Sequence, residues 1–240
     1  MNSERLIAVV TGGAGDLGKD IVSKLESNGI VVYVIDLKEP ESDRHYKVDL
    51  CDEQEVEKVI SDIINKEGKI NILVNNAGVI HSEPLINITN QDSMRHSYTN
   101  FSKYLKLNLD TTFIVSSIIA EKMVQKRTKG VIINMSSISA VGNAGQSAYS
   151  AAKAGVEALT KTWSKELGVF GIRSVGIAPG FIDTNSTSHA LNENIISHIK
   201  KNTPLRKLGK VDNISETVLF AISNDYLNGT VINVDGGLTI

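Results

Sequence analysis

The sequence predicts an α/β fold: a single-domain, Rossmann-like, doubly wound parallel sheet with helices on both faces. Three observations predict it. Short apolar runs alternate with stretches of helical periodicity along almost all of the 240 residues. The runs are continuous and rich in β-branched residues, as strands covered on both faces require. No linker, repeat or low-complexity tract breaks the alternation, so residues 1–240 read as one unit built from βαβ repeats.

The first run, LIAVV at Leu6–Val10, leads into the glycine-rich TGGAGDLG at Thr11–Gly18. A helical stretch, LGKDIVSKLESNG, follows, with Ile21, Val22 and Leu25 on one face and Gly29 as its stop. IVVYVI (Ile30–Ile35) and YKV are the next strands, and the polar Leu37–Tyr46 stretch before YKV is too short for a helix. In DEQEVEKVISDIINKEG, Val56, Val59, Ile60 and Ile63 recur at helical spacing. Ile70–Val74, Val131–Met135 and Ile172–Ala178 repeat the strand signal, with helical patterns at Phe101–Gln125 and Tyr149–Leu167 between them. ISETVLFAIS reads as a last helix and GTVINV as a last strand.

Lys and Arg total 25 against 27 Asp and Glu, for a net charge of −2, so no basic footprint points to nucleic acid. The apolar TTFIVSSIIA is broken by polar residues and falls short of a bilayer span, which argues against a membrane. Cys51 is alone, which rules out an intramolecular disulfide and fits a reducing, cytoplasmic setting.

The glycine-rich turn reads in two registers. One is Gly13-x-Gly15-x-x-Gly18, the general dinucleotide spacing; the other is Thr11-Gly12-x-x-x-Asp16-x-Gly18, with an acid at the middle glycine position. Either register lets backbone N–H groups approach a pyrophosphate at a helix N-terminus. Asp36 ends the second strand, eighteen residues past Gly18, where an acid accepts a hydrogen bond from an adenine ribose 2′-hydroxyl. Tyr149 and Lys153, in YSAAK, share one face of a helix. A free phenol titrates near ~10. A neighbouring ammonium favours the phenolate, so the pair can exchange a proton with a carbonyl or alcohol oxygen. Ser136 ends the strand VIINM, where open α/β sheets place ligand-binding groups.

With these motifs in order, the chain resembles the short-chain dehydrogenase/reductase family of nicotinamide-dependent oxidoreductases. The resemblance runs from Leu6 to Gly237 and rests on TGGAGDLG, VDL at Val48–Leu50, NNAG at Asn75–Gly78, LNL around Asn108, NMSS at Asn134–Ser137, YSAAK, APGFIDT at Ala178–Thr184 and NVDGG. It selects the second register of the glycine turn. It implies that Tyr149 is the proton donor and acceptor, that Lys153 lowers the tyrosine pKa and binds the nicotinamide ribose, and that Asn108 holds a water in the proton relay. Ser136, thirteen residues before Tyr149, matches the hydroxyl that bonds the substrate oxygen; Ser137 competes, and the spacing favours Ser136. Cofactor contacts are implied for Gly12, Asp16, Leu17 and Gly18 in the turn, Asp36, Asp49 and Leu50 around the adenosine, Asn76, Ala77 and Gly78, and Pro179, Gly180, Ile182 and Thr184 near the carboxamide.

Asp36 repels a 2′-phosphate, which selects NAD over NADP. Lys38, one position beyond the usual basic residue, reads as a solvated loop charge. Asp16 reads as a helix cap whose side chain points away from the phosphates. Asn90–Tyr98 looks like an insertion of about eight residues against ordinary loop lengths, as a substrate-pocket wall, a subunit contact or inert surface. His81, His96, His189 and His198 have no metal-ligand spacing and read as loop or surface residues, so no metal is expected. The resemblance places substrate specificity at about Asn185–Leu205, whose polar composition leans toward a sugar, polyol or other small polar alcohol. The alternatives are a 3-oxoacyl-carrier-protein reductase and a non-catalytic NAD sensor, against which the full Asn108, Ser136, Tyr149 and Lys153 set argues. Ile114, Val115, Ile118, Ile119, Leu159 and Trp163 read as a second apolar stripe on the two long helices, so a homotetramer is expected.

Overall fold

The structure, a computed structural model, describes residues 5–184 and 192–240. Seven parallel strands form the sheet: β1 (Ile7–Thr11), β2 (Val31–Asp36), β3 (His45–Lys47), β4 (Ile72–Asn75), β5 (Gly130–Met135), β6 (Ile172–Pro179) and β9 (Val231–Val234). Their order is β3-β2-β1-β4-β5-β6-β9. The chain therefore winds outward from β1 to β3, returns to β4, and winds outward the other way. β7 (Ile182–Asp183) and β8 (Gly209–Lys210) pair as a small separate ladder.

The helices are α1 (Asp16–Ser27), α2 (Glu53–Glu67), α3 (Tyr98–Leu105), α4 (Thr111–Gln125), α5 (Ser147–Glu166), α6 (Glu193–Asn202) and α7 (Val211–Ser223). Both faces of the sheet are covered, so the apolar core splits in two. Val9, Ile35, Leu73 and Ile132 pack on one side with Ile60 and Ile119, and Val10, Ile72, Ile133 and Ile177 pack on the other with Ile21 and Val218. Residues 37–44 connect β2 to β3 without a helix, as their length requires.

Two expectations are corrected. The helix read over Phe101–Gln125 is three pieces: α3, a π-helical segment at Lys106–Asp110, and α4. Asn108 supplies the reason. Its side-chain amide donates to the Tyr104 carbonyl, 2.9 Å away, and competes with the backbone ladder there. The second apolar stripe is not one either. Val115 and Ile119 are fully buried, and Ile118 and Trp163 nearly so, all inside the protomer. Ile114 and Leu159 are half-buried, and Phe113 is the apolar residue of α4 that faces outward.

Gly12 and Gly18 are held against backbone in the glycine turn. Gly12 adopts φ +63°, and a Cβ there would stand 2.8 Å from the Ala77 Cα. A Cβ on Gly18 would stand 2.2 Å from the Gly12 carbonyl oxygen. At Gly15 the nearest such atom is 3.5 Å away. Gly18→Ala is expected to cost about 1–3 kcal/mol in chemical denaturation, and Gly15→Ala, which only exchanges a helix cap, under about 1 kcal/mol.

Candidate active site

The winding reverses between β1 and β4, and the crevice at their carboxyl ends is where open α/β sheets bind ligands. Side chains close it. The Thr11 hydroxyl oxygen accepts from the N–H groups of Asn76 and Ala77, each at 3.1 Å. The Asn76 amide donates to the carbonyls of Thr11 and Gly12, at 3.2 and 3.0 Å. The turn is thus fastened to the NNAG segment, with the N-terminus of α1 facing the crevice. The first-turn N–H groups of a helix lack intrahelical acceptors and carry partial positive charge.

Gly15 is the N-cap of α1 and makes no side-chain cap. Asp16 is therefore not the cap that the sequence led us to expect. It lies one residue inside the helix, half-buried in the first turn, where a carboxylate is favoured by the helix dipole. Asp36 Oδ2 accepts from the Ala14 N–H and Oδ1 from the Lys38 N–H, both at 3.0 Å. Lys38 is exposed on the loop after β2, as expected. Its ammonium folds back to the Ala14 carbonyl at 2.8 Å. On the neighbouring loop Leu50 is buried, and Asp49 is exposed and accepts from the Cys51 N–H at 2.9 Å.

Tyr149 and Lys153 lie one turn apart on α5, and both are buried. The Lys153 ammonium sits 5.7 Å from the centre of the tyrosine ring and donates to the Met135 carbonyl at 2.8 Å. Burial pushes this ammonium down to about 8. Burial pushes the Tyr149 phenol up, and a hydrogen bond from Ser137 pulls the other way. Burial is thus the largest influence on the phenol, and Ser137 is the group that opposes it.

The serine also moves by one residue. Ser136 Oγ donates to Glu157 at 2.8 Å, so its hydroxyl is held by α5. Ser137 is the serine that meets the phenol. The cause is the strand pleat, which sends Ser136 and Ser137 to opposite sides of the β5 end. Spacing alone could not show this.

Asn108 completes the group. Its side chain exchanges two hydrogen bonds with the Val79 backbone, both at 2.9 Å. A Cβ on Gly78 would stand 2.8 Å from Asn108 Oδ1 and 3.4 Å from Lys153 Nζ. Gly78, Asn108 and Lys153 therefore surround one point, and the absent Cβ leaves room there. Pro179 and Gly180 close the end of β6, with the Gly180 N–H on the Val234 carbonyl at 2.9 Å. Ile182 is buried at the start of β7, and Thr184, half-buried, ends this described stretch. The glycine turn, Asp36, Gly78 and Lys153 border this crevice, and the room its glycines leave fits a dinucleotide.

Of the segment 185–205 expected to set specificity, residues 185–191, with His189, lie outside the described residues; the remainder holds α6, whose Ile195 faces outward. Sequence reasoning missed Gln146. Its side-chain oxygen accepts from Ser139 at 2.8 Å and Asn143 at 3.1 Å, directly before the catalytic-type helix. Among the described residues no His, Cys, Asp or Glu cluster could hold a metal ion, and no helix is long and apolar enough to cross a membrane.

A family model described as enoyl-(acyl carrier protein) reductase matches residues 13–239. The chain is 31% identical to the 3-oxoacyl-acyl-carrier-protein reductase FabG of Thermotoga maritima, covering 100% of both chains. It is 33% identical to the sorbitol-6-phosphate 2-dehydrogenase of Klebsiella pneumoniae, covering 100% of this chain and 98% of that one. A solved structure described as ElxO with NADP bound superposes with a TM-score of 0.87 at 26% identity, over 97% of this chain and 98% of that one.

The buried Lys153 makes a checkable contribution to stability. In the folded chain it titrates at about 8, below the ordinary lysine value of 10.5, so the unfolded chain binds more protons between these limits. The penalty for burying the charge is fully present below about 8 and is relieved as pH rises toward 10.5. Denaturant titrations should therefore show the stability of the wild type rising relative to Lys153→Met over that window.

Proposed function

The chain belongs to the short-chain dehydrogenase/reductase family, and from that premise we propose that it reduces the ketone of a 3-oxoacyl group to a secondary alcohol, reversibly, with a nicotinamide cofactor. The observation that carries this reading is the convergence of Tyr149, Ser137, Lys153 and Asn108 at the carboxyl end of the sheet. Bound nicotinamide supplies hydride transfer. Tyr149 gives its phenolic proton to the carbonyl oxygen, or takes it back from the alcohol. Ser137 holds that oxygen by a hydrogen bond, and its pull on the phenol favours the phenolate. Lys153 provides a positive charge on a rigid mount, and Asn108 holds the Val79 backbone in place with two hydrogen bonds. Ser136 acts from behind, through Glu157.

Two observations support the acyl substrate over the small polar alcohol read from composition. The Thermotoga relative carries a 3-oxoacyl activity in its name. Large apolar side chains stand exposed on the segments that flank the catalytic groups, including Ile80, Leu85 and Val141. A phosphorylated polyol remains the second reading, on the strength of the Klebsiella relative.

For the cofactor, NAD(H) is our reading. Asp36 sits at the tip of β2, and its charge opposes a 2′-phosphate. NADP(H) is the second reading, supported by the NADP-bound neighbour and by the Lys38 ammonium folded onto the Ala14 carbonyl of the glycine turn. The family resemblance supports a homotetramer, with Phe113 on the outward face of α4 as a candidate contact.

Ethyl acetoacetate, with NADH and NADPH in parallel, tests the reaction, and sorbitol 6-phosphate with NAD tests the second substrate. Tyr149→Phe should lower kcat by about 10²-fold or more while leaving the NADH dissociation constant within about twofold. Ser137→Ala should lower kcat more than Ser136→Ala; the reverse order would return the substrate hydroxyl to Ser136. Asp36→Ala should narrow the ratio of kcat/KM between NADH and NADPH. An unchanged ratio would mean that Asp36 only fastens the glycine turn.

A further inference from the structure

The segment from Leu85 to His96, which overlaps the expected insertion at Asn90–Tyr98, forms a two-armed hairpin. Ile86 pairs antiparallel with Arg95, the His96 N–H donates to the Leu85 carbonyl at 2.9 Å, and the Asn87 N–H donates to the Met94 carbonyl at 2.6 Å. Asn90 turns the tip, its side chain accepting from the N–H groups of Asp92 and Ser93 at 3.1 and 3.4 Å. Such a hairpin has little core of its own. Leu85, Ile86, Ile88 and Met94 are each more than half exposed. Its position depends on its base.

Glu83 is that base. One carboxylate oxygen accepts from the Ser97 N–H at 2.9 Å, where the hairpin ends and α3 begins. The other accepts from the Asn100 amide at 2.9 Å and meets His81 Nε2 at 3.0 Å and His96 Nε2 at 3.6 Å. These partners hold the carboxyl at about 2, so it stays ionised. The His96 side chain is only 4% exposed, and neither ring nitrogen has a hydrogen-bond partner, so the charge of Glu83 is its nearest polar compensation. The Phe101 ring meets it edge-on at 6.0 Å.

The hub meets the segments that carry the catalytic groups on two sides. The Glu83 N–H donates to the Gly145 carbonyl at 2.7 Å, and Glu83 bridges to Gln146, three residues before Tyr149. His81 stacks on Tyr104 at 3.9 Å, and the Tyr104 carbonyl accepts from Asn108. We infer that Glu83 is a positioning residue: it fixes the Leu85–His96 hairpin across the gap between the start of α5 and the Asn108 segment, so that the hairpin forms one wall of the substrate cleft. The inference rests on the proposed ketone reduction for its kinetic consequence and on geometry alone for the anchoring.

The test compares wild type, Glu83→Ala and Glu83→Gln in two measurements. Hydrogen exchange at residues 85–97, followed by mass spectrometry, should speed up in Glu83→Ala and less so in Glu83→Gln, which keeps one acceptor oxygen. KM for ethyl acetoacetate should rise about tenfold in Glu83→Ala with kcat within about twofold. Glu83→Gln should recover part of that rise, and the NADH dissociation constant should stay unchanged. Unchanged exchange in both variants would overturn the anchoring. Faster exchange with unchanged KM would overturn the wall while leaving the anchor, and a parallel fall in kcat and NADH binding would overturn positioning in favour of general damage. If the wild type does not reduce ethyl acetoacetate, the proposed reaction and the wall fall together, and exchange still decides the anchor.

Discussion

The seam between β1 and β4 is the constraint on which the other parts of the site depend. A doubly wound sheet must part its crossover connections somewhere, and the parting leaves polar backbone at two strand ends with no strand beyond them. Here Thr11 and Asn76 take up those groups with four hydrogen bonds. The same bonds draw Gly12 against Ala77 so closely that no Cβ fits between them. The glycine turn is therefore shaped from the β4 side as much as from its own sequence. Its distance from Gly78, and through Gly78 from Lys153 and Asn108, follows from that one seam.

Behind the seam runs a buried polar ladder. The Asn75 amide donates to Ser116 and to the Asn134 side-chain oxygen, each at 2.8 Å. The Asn134 amide then donates to Thr160 at 2.9 Å and to Ser174 at 3.4 Å. All five residues are buried. Polar groups in such surroundings are costly unless paired, so their pairing fixes the register of β4, β5 and β6 against α4 and α5. Apolar packing alone tolerates small slips; this ladder does not. The ends of β5 and α5, which carry Ser137 and Tyr149, inherit that precision.

What the sequence made legible follows from this division of labour. Strands buried on both faces write continuous β-branched runs, so the sheet, its winding and the helixless 37–44 connection could be read directly. Tyr149 and Lys153 were readable as a pair because helical spacing puts them on one face. The errors came where a side chain competes with the backbone or where facing direction matters. The π-helical break needs the contact of Asn108 with Tyr104 and Val79, which no periodicity encodes. Ser136 and Ser137 differ only in which side of the strand end they leave. The supposed oligomer stripe failed because α4 and α5 are covered on more than one face by their own chain, so apolar content overstated what was left for a partner. His96 read as a loop or surface residue; it lies in a loop, and its side chain is buried there by a hairpin and a helix that meet only in three dimensions.

The Tyr149 environment shows why a chemical motif is not yet a chemical state. Proximity of an ammonium was expected to dominate, and at a solvated site it would. Here both groups are enclosed, and enclosure acts on them in opposite directions: it disfavours the phenolate and disfavours the ammonium. The phenol is thereby kept protonated, the form needed to give a proton to a carbonyl oxygen. Lys153 is kept near the point where it can lose its own proton, while its bond to Met135 keeps it in place. Ser137 is the group that pulls the phenol back toward ionisation. A substrate oxygen held between Ser137 and Tyr149 would engage both hydroxyls at once, so the balance that sets the acid strength of the phenol is made at the atom where the proton has to arrive.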